Sequence, residues 1–149
     1  MSEALINFTA QYLIFFSAFA FPYLWFQRKG HRLIQIAVTV ILAFALAELI
    51  KSFLYVPRPF VAEGFTPLFP HEPDGSFPSS HVTILAALAG SVLGKERALG
   101  ILLVLMAIGV GVGRVLAGVH YPLDVGGGLV LGLGGAALVR ALHRRFPVW

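Results

Sequence analysis

The sequence predicts an all-α, polytopic membrane helix bundle of about five transmembrane helices, with a long outer loop between the second and third. Three observations carry that expectation. The 149 residues are 58% hydrophobic and only 12% charged, with a mean hydropathy of +0.84; soluble domains run near half apolar and a quarter charged. The apolar residues fall in runs of the length that crosses a bilayer, about 20 residues each. The basic residues cluster between those runs, the pattern that sets membrane topology. Too little charge remains to coat a soluble globule. A soluble enzyme, a disordered chain and a nucleic-acid binder are therefore excluded as classes, and no nucleic-acid partner is expected. Residues 1–149 read as one membrane-embedded domain. The chain has no cysteine, which removes disulfides and thiolate metal sites. Neither a metal nor a cofactor is expected.

The first span is expected over residues 4–26, uncharged throughout. A cleaved signal peptide fits poorly there, because the basic cluster follows the apolar run instead of preceding it. The second span covers residues 33–55 and carries Glu48 and Lys51 near its end. Between it and the third span, residues 56–79 hold six of the nine prolines and end in Gly75-Ser76-Phe77-Pro78. Long irregular segments in compact domains tend to be functional or disordered. The aromatic content of this one (Phe60, Phe65, Phe69, Phe77) argues for a folded loop over the membrane surface. The third span, Ser80–Leu93, is short. The fourth covers residues 98–116 and the fifth residues 122–142.

Charge then orients the spans. The net charge of +4 is read as encoding topology rather than an acidic partner. Arg28, Lys29 and Arg32 follow the first span, Lys95 and Arg97 the third, and Arg140, Arg144 and Arg145 the fifth. With alternating spans all eight fall on one side, which the positive-inside rule makes the cytoplasm. The expected location is the cell (inner, cytoplasmic) membrane, multi-pass, with the N-terminus outside. Lys51, Arg58 and Arg114 fall at the opposite, extracytoplasmic face. Charges near membrane depth are costly and mark function.

Two connections bring further groups to that face. The long loop ends in Pro78-Ser79-Ser80-His81, and the link between spans four and five supplies His120 and Asp124. Three clustered cations repel at low dielectric unless an anion joins them. A phosphate would satisfy them, and arginine meets it with a planar fork. Spans three and five both start at this face. Ser79 or Ser80 suits the cap of one, and Pro122 the first position of the other. Both helix N-termini could thus favour the same anion.

These residues form three ordered motifs. Lys51, six residues and Arg58-Pro59 make the first. Pro78-Ser79-Ser80-His81 is the second. Gly113-Arg114, five residues, His120, three residues and Asp124 make the third. Together they resemble the type 2 phosphatidic acid phosphatase superfamily of membrane lipid phosphatases, across residues 51–124. Ser80 stands where the family has glycine, and Gly113 where it has serine. Members commonly have six spans, against five here.

The resemblance implies a two-step phosphoryl transfer. His120 would be the nucleophile and form a phosphohistidine; Asp124 would fix its tautomer. His81 would be the acid and then the base. Lys51, Arg58, Ser79, Ser80 and Arg114 would hold the phosphate, with Ser80 chiefly structural and no metal. The implied substrate is a lipid phosphate or diphosphate at the outer leaflet, an undecaprenyl (prenyl) diphosphate first. Phosphatidylglycerophosphate, phosphatidic acid and lipid A phosphates remain alternatives. An ion or proton transporter using the same charges is the competing class, and a non-catalytic phospholipid-binding relic is a third. A vanadium haloperoxidase shares the anion pocket by resemblance, but those proteins are soluble.

Plainer readings stand beside these. Asp124 suits a helix cap as well as a histidine partner. Lys51 could snorkel, with Glu48 as partner. His71, Glu72 and Asp74 read as solvated loop residues. The glycines between 109 and 135 read as tight packing of spans four and five, and a homodimer through the same face stays open.

Overall fold

The computed structural model describes residues 2–26 and 30–145, with side chains from residue 33 onward in the second stretch. Arg28, Lys29 and the Arg32 side chain, expected to mark the inner side, lie outside the described residues. The described residues form α1 (Glu3–Phe26), α2 (Gly30–Phe53), α3 (Pro59–Glu63), α4 (Ser80–Leu93), α5 (Arg97–Leu116) and α6 (Pro122–Arg145). No strand occurs among them. The protein is a polytopic helical bundle, and α1, α2, α5 and α6 are each long and apolar enough to cross a membrane.

The third expected span is the short one. With 14 residues, α4 extends about 21 Å, less than a hydrocarbon core about 30 Å thick. It lies at the centre, packed by α2, α5 and α6. Val82, Leu85, Ala86, Ala87 and Ala89 on it are completely buried. Small residues make this possible. A Cβ on Gly132 of α6 would lie 2.5 Å from the Thr83 carbonyl oxygen, and one on Gly90 of α4 would lie 2.7 Å from the Ala136 Cβ. The α6 glycines were expected against the fourth span. Gly128 and Gly132 press α6 on α4, Gly127 faces Phe77 and Gly135 faces Ala43 of α2, while α5 and α6 meet where Gly111 faces Val125.

The outer helices show why so much apolar surface is needed. Phe15 and Phe19 of α1 are about two-thirds exposed, and Phe53 of α2 is 82% exposed. Such faces suit lipid rather than water. The hydrogen-bond ladder of α1 is irregular. It widens over Phe8–Tyr12 and tightens over Leu13–Phe19. The widened turn meets α5 at Gly113, where a Cβ would lie 2.5 Å from Thr9 Oγ1 and 2.8 Å from the Ala10 nitrogen.

Residues 54–79 fold over one end of the bundle. Arg58 is extended, as its place between two prolines requires, and Pro59 opens the single turn of α3. Gly64 stops that turn in the left-handed region with φ 72°, a conformation open to glycine at little cost. Phe69 packs with Ile6, Ala10, Ala117 and Val119. The Leu68 N–H donates to the Ala117 carbonyl, and the Ser76 N–H to that of Val56.

Candidate active site

Local chain geometry brings the residues of the three motifs to this covered end. Asp124 lies in the first turn of α6, four residues beyond His120. Its Oδ2 accepts the Tyr121 backbone N–H at 2.8 Å, the closing half of a capping box. The same oxygen accepts from His120 Nδ1 at 3.1 Å and from the Ser76 hydroxyl in a short bond. The capping and orienting readings of Asp124 therefore coexist on one atom. The two helix starts are tied directly, since the Ser79 N–H donates to the Asp124 carbonyl at 3.0 Å.

Arg58 approaches the other face of His120. Its Nη1 lies 3.1 Å from His120 Nε2 and donates to the Val119 carbonyl at 2.8 Å. Its Nε donates to Asp74 Oδ1 at 2.8 Å, and Nη2 to the Gly75 carbonyl at 3.3 Å. A guanidinium can only donate. Nε2 must therefore carry the lone pair, and the ring proton sits on Nδ1 toward Asp124. His120 is buried at 2% exposure. Burial lowers its pKa to about 4; the Arg114 and Arg58 charges add to this, against the opposing hydrogen bond and charge of Asp124. The ring is neutral at pH 7.

The long loop contributes more than expected. His71, Glu72 and Asp74 were read as solvated. Glu72 and Asp74 are exposed and His71 is partly buried, but His71 and Asp74 also belong to the site. His71 Nε2 lies 2.7 Å from Arg114 Nη2 and accepts from it, and its ring stands edge-on to that of His120, centroids 6.4 Å apart. Burial is the chief cause that lowers the His71 pKa. Burial tends to raise the Asp74 carboxyl, but the Arg58 hydrogen bond and nearby positive charge outweigh it and hold the group below its usual value. Sequence spacing gave no sign of these pairings, because they depend on how the proline-rich segment bends back over α5. Ser76 was also missed. It is fully buried and lies 3.3 Å from His120 Nδ1 as well as on Asp124. Its signal was the turn sequence just before Pro78.

Arg114 is buried at the end of α5. It donates to the Ala10 carbonyl of α1 at 3.2 Å and lies over the Phe69 ring. Its Nε and the Ser79 hydroxyl are buried without a partner among the described residues. Ser79 occupies the cap position of α4 but makes no side-chain cap bond. His81, the second residue of α4, is partly buried and within electrostatic range of Arg114, His120, His71 and Lys51. Ser80 and Lys51 form a separate group. Lys51 Nζ donates to Glu48 at 3.0 Å and, in a short bond, to Ser80. The Ser80 hydroxyl donates to Glu48 at 2.6 Å. Ser80 thus engages a carboxylate rather than standing open to an anion. Among the described residues no group of three His, Asp or Glu side chains is arranged to hold a metal ion.

Known proteins share this arrangement of sequence and fold. The model of the PAP2 superfamily matches residues 32–147. Undecaprenyl-diphosphatase BcrC of Bacillus subtilis (strain 168) is 33% identical over 135 residues, covering 88% of this chain and 69% of that protein. Bacitracin transport permease protein BcrC of Bacillus licheniformis is 31% identical over 146 residues, covering 93% and 70%. Among solved structures, Aquifex aeolicus LpxE superposes with a TM-score of 0.78 at 26% identity, over 95% of this chain and 88% of that one. A helical bundle with these three motifs at one end, matched by the family model over most of its length, belongs to the PAP2 superfamily.

Proposed function

We propose that the protein is a membrane phosphatase that hydrolyses a lipid diphosphate, an undecaprenyl (prenyl) diphosphate first, through a phosphohistidine. The observation that carries this reading is the state of His120 Nε2: buried, unprotonated, and faced by a guanidinium at 3.1 Å. The names of the most similar relatives support a diphosphate substrate.

In the first step His120 Nε2 attacks phosphorus while the bond from phosphorus to the leaving oxygen breaks. His81, protonated, gives that oxygen its proton. Asp124 balances the positive charge that the imidazole gains. Arg58 turns its N–H groups from Nε2 to the phosphate oxygens, joined by Arg114, Lys51 and the unpartnered Ser79 hydroxyl. In the second step His81 removes a proton from water, water attacks phosphorus, and the N–P bond breaks to restore the free nitrogen. The cations supply the charge that a metal would otherwise bring, so the reaction is proposed to be metal-independent. The site is proposed to face the extracytoplasmic side, with the N-terminus outside.

Purified protein in detergent with EDTA should release phosphate from undecaprenyl diphosphate faster than from phosphatidylglycerophosphate, phosphatidic acid or lipid A. A quenched reaction should carry an acid-labile phosphohistidine that His120→Ala lacks. No release from any of these lipids removes the enzyme reading, and ion flux in liposomes without hydrolysis replaces it with transport. For topology, Glu72→Cys should react with an impermeant thiol reagent in whole cells; reaction only after lysis would invert the orientation.

A further inference from the structure

A second polar chamber lies at the end of the bundle remote from His120. Its cause is the shortness of α4. That helix stops at Leu93, while α6 continues to Arg145 and α2 begins at Gly30. The long helices overhang the short one and leave a cavity of about 250 Å³ between α1, α2, α6 and the end of α4. The loop of residues 54–79 covers the other end of α4. Among the described residues, the Gly94–Glu96 link lies at this end.

The lining is two-sided. Leu24, Ile36, Val92 and Ala136 make an apolar wall, Lys95, Arg140 and Arg144 bring positive charge, and Glu96 brings one negative charge. Arg140 sits over the C-terminus of α4, where its Nη2 donates to the Gly90 carbonyl at 2.9 Å. A cation is favoured there by the helix dipole, and the guanidinium keeps further N–H donors to offer. Three cations against the one carboxylate of Glu96 leave the lining with a net positive charge. The hydroxyls beside them are already committed to their own helices, Thr39 to Gln35 and Ser91 to Ala87. The unmet chemistry is cationic, next to hydrocarbon. A free anion would meet the charge and leave the apolar wall uncovered; a neutral lipid would do the reverse.

We infer that this cavity binds the phosphate group of an anionic phospholipid from the leaflet at that end, with an acyl chain along the apolar wall. Arg140 lies 16 residues beyond Asp124 on α6, about 24 Å along the helix axis. The site is therefore separate from the catalytic one and does not depend on the phosphatase reading.

The test uses delipidated protein carrying His120→Ala, in neutral detergent. Phosphatidylglycerol, phosphatidylcholine or inorganic phosphate is added, and lipid retention is read by native mass spectrometry alongside Tm. About one phosphatidylglycerol should be retained per chain, at least tenfold better than phosphatidylcholine, and should raise Tm. Lys95→Gln with Arg144→Gln should abolish that preference and leave the lipid-free Tm unchanged, both residues being exposed. Arg145→Gln, outside the cavity lining, should retain it. Equal retention of the two lipids, an unchanged preference in the double variant, or a rise in Tm from inorganic phosphate that matches phosphatidylglycerol would each overturn the inference.

Discussion

Arg58 holds its guanidinium 3.1 Å from the Nε2 atom of His120, on the side of the ring opposite Asp124. The contact fixes which nitrogen is free, because arginine has no acceptor to offer. In ¹⁵N-histidine-labelled protein, His120 should show the tautomer with its proton on Nδ1. Burial and the two arginines lower its pKa to about 4, so the ring should stay neutral on acidification from pH 7 until about pH 4. The lone pair is then present above that pH and lost below it. Asp124→Asn should move the titration lower still, because the carboxylate favours the charged ring. A His120 signal titrating near 6.5 would contradict the geometry.

Arg58 meets His120, Val119, Gly75 and Asp74 with one planar group. Lysine is a point charge and cannot reproduce that fork. Arg58→Lys should lower kcat/KM by about 10²-fold or more, measured as phosphate release. Asp74→Asn should cost less, since that carboxylate is half exposed and only steadies the arginine.

Ser76 shares both the Asp124 oxygen and the proton-bearing nitrogen of His120. A hydrogen bond to a charged group contributes about 1.5–3 kcal/mol. Ser76→Ala should therefore reduce kcat about 10- to 100-fold with little change in KM, and should leave the His120 tautomer less fixed in the ¹⁵N spectrum. A loss expressed only in KM would place Ser76 on the substrate instead.

Gly113 departs from the family serine at the point where α5 receives the widened turn of α1. Restoring the serine would drive its Cβ to 2.5 Å from Thr9 Oγ1. Gly113→Ser should destabilise the protein by about 1–3 kcal/mol, read as a lower Tm. It should also weaken the Arg114 bond to Ala10 and so reduce activity more than the loss of folded protein explains.

Much of the covered end was legible because its chemistry repeats at fixed spacing. His120 and Asp124, four apart, meet across the start of α6, and Glu48 pairs with Lys51 as three-residue spacing allows. Helix limits followed from apolar runs to within a few residues. Less legible was anything that depends on a loop closing on itself. His71, Asp74 and Ser76 lie in a proline-rich stretch without periodicity, and their partners are Arg114 of α5, Arg58 just before α3, and His120 and Asp124 at the start of α6. The Ser80 partner was hidden for a related reason: its hydroxyl reaches Glu48, 32 residues back, a pairing that appears only once α2 and α4 are side by side. The central position of α4 was also hidden, since a short apolar run does not say which neighbours surround it.

The close seating of α6 on α4 through Gly128 and Gly132 leaves no slack between them. His81 and Asp124 are therefore carried by two helices seated directly on each other. Arg58, His71, Asp74 and Ser76 all belong to the strap above. Any lifting of that strap would draw these four groups away from His81 and Asp124 together.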